Sequence, residues 1–431
     1  MLAMDVRSRM RPRCRCAPFM NAPPAIRRRI TAETHDVDLH TRTPAFRLPS
    51  ITERPMTAAS KRIASIDVAR GLVMLLMTVD HVRETFFLQH QVSDPMDPAT
   101  TDPGLFFTRL AAHFCAPLFV FLTGLSAWLY ANPASGPRDA TGFLAKRGAF
   151  LILLEIVVVN FAWTGSFTPH TIYLQVIWAI GLSMLALALL HRLPLAVLAV
   201  LGIVIVGGHN ALAGLSFEPG GMAASLWTVL EQRGFLLEDP VRVKISYPLL
   251  AWIGVILLGY ACGPLYARAT APGLRRRWLT LLGLACLALL LVLRTWNIYG
   301  ETQPWAPQAD LVRSAMSYLN FTKYPPSLDF LLMTLGVGLP LLAWLERCDA
   351  GWTRVAAVFG GAPLFFYILH LYLLLAAQRI AAAVLNVPRA DLDHVWQVWL
   401  GAAIVSALLY WPTRRFGGYK RVTTRAWVKY L

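Results

Sequence analysis

Charge is what this sequence has least of. Only 15% of its 431 residues are Asp, Glu, Lys or Arg, where a soluble domain carries about a quarter. The deficit comes from long stretches almost free of charge, each near the ~20 residues that cross a bilayer. That excludes an ordinary soluble domain. Cysteine is scarce as well: six are scattered along the chain, and only Cys14-x-Cys16 has ligand-like spacing. Neither a disulfide framework nor a cysteine metal site is expected, and the thiols in or beside apolar segments read as inert. Lysine is missing from residues 1–55, which hold eleven arginines against five acidic residues and no apolar run long enough for a signal peptide. This Arg- and Pro-rich tail is expected to be disordered. Met56 stands directly before the first membrane-like stretch and is the expected start of translation, giving a tail over 1–55 and one membrane domain over 56–431.

What is present is apolar and helical. Ten apolar segments fall at roughly 63–87, 105–131, 145–163, 170–190, 193–209, 246–268, 275–295, 327–346, 355–384 and 395–412. The net charge of +16 sits mainly in the tail and in short loops. Lys61/Arg62, Lys146/Arg147, His191/Arg192, Arg268 with Arg275–Arg277, Arg347/Arg354 and the C-terminal cations share one side, while the intervening loops are acidic or mixed. The positive-inside rule then predicts an all-α polytopic protein of about ten transmembrane helices with both termini in the cytoplasm. No nucleic-acid fold signal accompanies the charge. Two long outer loops, about 210–245 and 296–326, are expected to cap a cavity. Gly336-Val337-Gly338-Leu339-Pro340 and Gly360-Gly361-Ala362-Pro363 mark places where helices kink or break.

Ionisable residues inside a bilayer cost at least ~2.5–3.5 kcal/mol each, so they normally face a bundle interior and mark function. The first segment carries Asp67, Arg70, Asp80 and His81. Asp67 and Arg70, three apart, can pair on one face. Arg70 and His81 are eleven apart, so they project from one stripe about 16 Å apart along the axis. The same counting puts His113 at the level of His81, Asp329 just inside the eighth segment, and His370 in the middle of the ninth. Glu155 and Asn160 read as interhelical hydrogen-bond partners, and that reading is equally open for His113 and His370. Asp80 either orients the His81 ring or pairs with Arg83.

The run Ile66-Asp67-x-x-Arg70-Gly71-Leu72, with His81 eleven residues after Arg70, resembles the first-helix signature of the transmembrane acyltransferase superfamily. Residues 114–126, aromatic-rich and reaching Gly124, resemble that superfamily's second helix. Together with Lys323-Tyr324-Pro325-Pro326-Ser327 and Phe366-Tyr367-Ile368-Leu369-His370, they look closest to bacterial relatives of the heparan-α-glucosaminide N-acetyltransferase catalytic domain, over roughly residues 60–410. The resemblance implies transfer of an acyl group, typically acetyl, from cytoplasmic acyl-CoA to a sugar or envelope glycan on the far side of a bacterial inner (cytoplasmic) membrane. Acetyl-CoA is then a donor substrate, with no bound cofactor and no metal. By the same resemblance His81 is the base or acyl carrier, with Asp80 and His113 beside it. Arg70, Asp67 and Arg147 serve the donor, and Lys323, Tyr324, Asp329 and His370 the acceptor side. In the lysosomal enzyme the catalytic histidine lies nearer the luminal end of the helix, where this chain has His90 or Gln91, so His81 and His90 stand as alternatives. A proton-coupled transporter using Asp80, His81 and His113, or a non-catalytic envelope protein, are the competing readings.

Overall fold

The computed structural model describes residues 58–430. The tail over 1–55, its two cysteines and the expected start at Met56 lie outside the described residues. The chain is an all-α polytopic membrane protein: each of the ten apolar segments contains at least one helix, and only the fourth opens with a short strand.

The first helix, α1 (Ala58–Phe86), runs without interruption past Arg70 and His81. The second segment is split into α2 (Pro103–Ala112) and α3 (Cys115–Ala131) by a turn at His113 and Phe114. Asp102 caps α2 by accepting a hydrogen bond from the Leu105 amide at 3.0 Å, with Pro103 at the first helical position. The third comprises α4 (Thr141–Leu154), a π-helical stretch over Glu155–Val159, and α5 (Asn160–Thr164). Then come α6 (Val176–Leu190), α7 (Leu195–Gly208), α8 (Met222–Leu230), α9 (Leu250–Ala261) and α10 (Pro272–Thr295). The rest are α11 (Leu311–Tyr318), α12 (Leu328–Leu345), α13 (Gly351–Gly361), α14 (Pro363–Leu385) and α15 (Val395–Val422). The helix breaks at Gly361-Ala362-Pro363 as its sequence suggests. It does not break at Gly336–Pro340, where α12 continues and Gly283 of α10 packs against the Pro340 ring.

The two long loops, about 210–245 and 296–326, are more ordered than their composition suggests. The first holds α8 and two strands, β2 (Gly234–Leu237) and β3 (Arg242–Ile245). These join β1 (Thr171–Leu174), just before α6, in a three-stranded sheet of order β1-β3-β2. β1 runs parallel to β3, pairing Thr171 with Arg242, and β2 runs antiparallel, pairing Phe235 with Lys244. The second loop holds α11.

Lipid tails are as apolar as leucine, so helices in a membrane associate through close packing and interhelical hydrogen bonds rather than by escaping water. Small residues let backbones meet here. A Cβ on Gly71 of α1 would lie 1.8 Å from the Ala356 carbonyl oxygen of α13, and one on Gly360 would lie 1.7 Å from the Asp67 carbonyl oxygen. α1 is thereby locked against α13, with α2, α3, α12, α14 and α15 around it. The apolar stretches of α2–α3 and α12 are largely buried, whereas those of α7, α10, α14 and α15 are largely exposed, the pattern of a central group ringed by lipid-facing helices. The one helix carrying both Arg70 and His81 thus sits inside the bundle.

Candidate active site

One cavity of about 810 Å³ reaches from Arg70 to His81 along α1, since both line it. Around Arg70 its wall includes Ser126 and Tyr130 of α3, Phe143 and Arg147 of α4, and Lys420 of α15. Arg70 donates to Asp67 at 3.3 Å and to the Ser126 hydroxyl, which fixes the guanidinium between α1 and α3. The Tyr130 and Phe143 rings stack with centroids 3.9 Å apart. This end therefore combines three cations with a flat aromatic pair.

At the other end the structure brings together residues from six segments. His81 and Asp80 on α1 share the cavity with Arg109 of α2, Trp163 of α5, Lys244 of β3, Lys323 and Tyr324 before α12, and Tyr367 of α14. The Asp80 carboxylate accepts two hydrogen bonds from Arg83, at 3.0 and 2.9 Å, and lies 3.6 Å from the Lys323 ammonium. Among the described residues it makes no hydrogen bond to the His81 ring. It ties the loop after α11 to α1 instead. Arg109 pairs with Asp94 at 3.5 Å, and burial raises the Asp94 carboxyl above its ordinary range even though Arg109 and Lys323 oppose that shift.

The neighbour that orients His81 is His370. The two rings are parallel within 8°, and His81 Nδ1 lies 2.7 Å from His370 Nε2. His370 Nδ1 in turn lies 2.9 Å from the Phe366 carbonyl oxygen. A carbonyl only accepts, so the His370 proton resides on Nδ1. With one proton per ring, His370 Nε2 accepts and His81 Nδ1 donates. The proton-free nitrogen of His81 is then Nε2, on a residue that lines the cavity. Trp163 and Tyr367 meet the His81 ring edge-on, with centroids at 5.2 and 5.8 Å, and hold its plane.

Other sequence candidates lie elsewhere. His113 is fully buried against Phe330, with ring centroids 5.1 Å apart, and does not line the cavity. Asp329 is buried beside Gly300, also off the cavity wall, and its backbone amide donates to the Gly300 carbonyl. His90 is exposed and packs on Phe87, while its neighbour Gln91 reaches the cavity. Glu155 accepts from the Trp178 amide at 3.2 Å, and Asn160 bonds the backbone of Tyr173 in both directions. The π-helical stretch at Glu155–Val159 widens α4 beside the cavity, a distortion common at functional sites. Sequence reasoning passed over Lys420, read only as a topogenic charge, and Arg233 and Lys244, placed in an outer loop.

Comparison with curated proteins finds no match. A family model described as heparan-alpha-glucosaminide N-acetyltransferase, catalytic, matches residues 62–304, which include most of α1, both halves of the second segment and the β-sheet. That match covers more than half of the chain, and the chain therefore belongs to the heparan-alpha-glucosaminide N-acetyltransferase catalytic family of membrane acetyltransferases.

Proposed function

We propose that the protein moves an acetyl group from acetyl-CoA, bound at the Arg70 end of the cavity on the cytoplasmic side, to a sugar or envelope acceptor entering from the His81 end, in a bacterial inner membrane with both chain termini cytoplasmic. The observation that carries this reading is the single cavity lined by Arg70 and His81 on one continuous helix.

The donor end suits coenzyme A. Guanidinium groups bind phosphate oxygens through paired hydrogen bonds, and Arg70, Arg147 and Lys420 stand on three different helices around one opening. The stacked Tyr130–Phe143 pair, with the Arg138 guanidinium 3.6 Å over the Tyr130 ring, gives the same end an aromatic wall whose ring edges can meet the adenine. The pantetheine arm then follows the cavity toward His81, about 16 Å along the helix from Arg70.

At His81 the reaction needs one proton carrier. Nε2 takes the proton from the acceptor hydroxyl or amine as that atom attacks the thioester carbonyl carbon. The tetrahedral intermediate collapses with cleavage of the C–S bond, and the leaving thiolate recovers the proton from Nε2. Through both steps Nδ1–H stays bonded to His370, which holds the tautomer and the ring orientation. This is the role an acceptor plays behind the imidazole in other acyl-transfer sites. Lys323 and Tyr324 flank the acceptor's path, and Asp80 keeps Lys323 in place. His113 and Asp329, off the cavity wall, contribute to packing.

The test is turnover of acetyl-labelled acetyl-CoA by the detergent-purified protein. The wild type should release or transfer the acetyl group, and His81→Ala should lose at least ~100-fold of that rate, the usual share of a general base. Unchanged turnover in His81→Ala would remove the histidine from the mechanism. Solute flux driven by a pH gradient and indifferent to coenzyme A would favour the transporter reading instead.

A further inference from the structure

The cavity is basic at both ends, and only one end can hold the phosphates of coenzyme A. At the Arg70 end the cations are Arg70, Arg147 and Lys420; at the other they include Lys323, Arg233 and Lys244. The second group is unexpected on topological grounds. Positive charge avoids loops on the outer side of a bacterial membrane, yet the outer hairpin places Arg233 just before β2 and Lys244 within β3, both on the cavity wall.

These charges differ in how they are neutralised. Arg109 has Asp94, and Lys323 has Asp80. Arg233 and Lys244 form no ion pair among the described residues. Arg233 lies over the Tyr324 ring with its guanidinium carbon 5.0 Å from the centroid, and Lys323 approaches the same ring at 5.2 Å. Lys244 lies 5.4 Å from the Phe235 ring centroid. Burial lowers the Lys244 ammonium below its ordinary range and the neighbouring Arg233 charge adds to that shift, while Asp94 on the same wall, already paired with Arg109, acts on Arg233 without forming an ion pair with it. Tyr324 and Tyr247, joined hydroxyl to hydroxyl at 3.0 Å, complete the wall with two further polar groups. The cluster is tied to the reacting centre, because Lys323 is held by Asp80, the residue next to His81.

We propose that Arg233 and Lys244, with Tyr324 and Tyr247 beside them, form a subsite for an anionic group, phosphate or carboxylate, borne by the acceptor next to the hydroxyl or amine that is acetylated. The proposal rests on the acetyl-transfer reading above and names the class of acceptor: a charged sugar in preference to a neutral one. Such a group offers an acceptor to each cation at once and relieves their mutual repulsion, which a neutral sugar cannot do. The phosphate of a free sugar phosphate and that of a lipid-linked sugar present the same chemistry to this subsite.

The experiment uses the full-length purified protein with acetyl-CoA and four probes: glucosamine, glucosamine 6-phosphate, a glucosamine–glucuronate disaccharide and glucosamine linked through phosphate to a polyprenol. At least one anionic probe should be acetylated with kcat/KM at least 10-fold above glucosamine, and the free and polyprenol-linked phosphates tell the two sources apart. The double variant Arg233→Gln/Lys244→Gln should lower kcat/KM for that probe by about 10- to 100-fold, as expected for charge-assisted hydrogen bonds. The KM for acetyl-CoA and the rate of its hydrolysis should not change. A preference for glucosamine, or a double variant that treats charged and neutral probes alike, overturns the subsite. A raised KM for acetyl-CoA also overturns it, because these cations would then belong to the donor. If the wild type turns over no acetyl-CoA with any probe, the acetyl-transfer reading fails. The subsite is then judged by thermal shift alone: stabilisation by an anionic probe but not by glucosamine, lost in the double variant, supports it, and equal shifts overturn it.

Discussion

Replacing His370 by leucine removes the acceptor from behind His81 and leaves the shape of α14 nearly intact. In the wild type the His81 Nδ1 proton is committed to His370 Nε2 at 2.7 Å, and both rings are buried. A buried donor left without a partner costs about 1–3 kcal/mol. His81 can avoid that cost by moving its proton to Nε2, where the cavity can accept it, but that tautomer cannot act as the base. Each ~1.4 kcal/mol shifts the tautomer ratio tenfold, so the competent form should be diluted roughly 10- to 100-fold. The expected result is a fall of that size in kcat, with little change in the KM for acetyl-CoA, whose phosphates lie at the far end of the cavity. His370→Gln places an amide oxygen near the position of Nε2 and should recover most of the loss, and its Tm should match the wild type within a few degrees. The assay is steady-state acetyl-CoA turnover in detergent across pH 5–9. Equal activity in the leucine variant, or equal loss in the glutamine and leucine variants, would refute the tautomer argument.

Three more outcomes follow from the same geometry. Arg147→Gln and Lys420→Gln should each raise the KM for acetyl-CoA several-fold and leave kcat at saturating donor close to wild type, as measured by initial rates. Gly71→Ala pushes a methyl into the Ala356 carbonyl and should cost about 1–3 kcal/mol, seen as a lower unfolding temperature in detergent, while Gly417→Ala, with open space around it, should be neutral or better. Glu231, at the end of α8, has both carboxylate oxygens buried without a partner among the described residues, and burial pushes its pKa up to about 8. Its folded value exceeds its ordinary 4.5, so the folded protein retains a proton that the unfolded chain releases; the native state loses stability as pH rises from about 4.5 through about 8. Glu231→Gln should flatten that pH dependence and raise the Tm at pH 8–9.

What could be read from sequence was whatever a single helix decides. The Arg70–His81 stripe follows from 3.6 residues per turn, and α1 carries it unbroken. The Asp67–Arg70 pair, three residues apart, forms for the same reason. Counting from the ends of apolar segments set His113 level with His81, but it carries no information on rotation. His113, in the turn between α2 and α3, faces Phe330 while His370, from a helix almost three hundred residues later, meets His81, and no periodicity predicts how that turn and α14 are rotated toward α1. The hairpin that brings Lys244 to the cavity wall depends on its parallel pairing with β1, a contact across more than seventy residues. The helix break at Pro363 was signalled by its glycines and proline. α12 continues through Pro340, whose ring packs on Gly283 of α10, a contact that the local sequence does not contain.

Transfer across the bilayer through one cavity is tested most directly in sealed proteoliposomes. Labelled acetyl-CoA, which does not cross lipid, is supplied outside, and glucosamine with glucosamine 6-phosphate is trapped within. Labelled N- or O-acetyl sugar should accumulate in the lumen with wild-type protein and not with His81→Ala. Product formed only when donor and acceptor are supplied on the same side, or lumenal product made equally well by His81→Ala, would contradict a route running from Arg70 to His81.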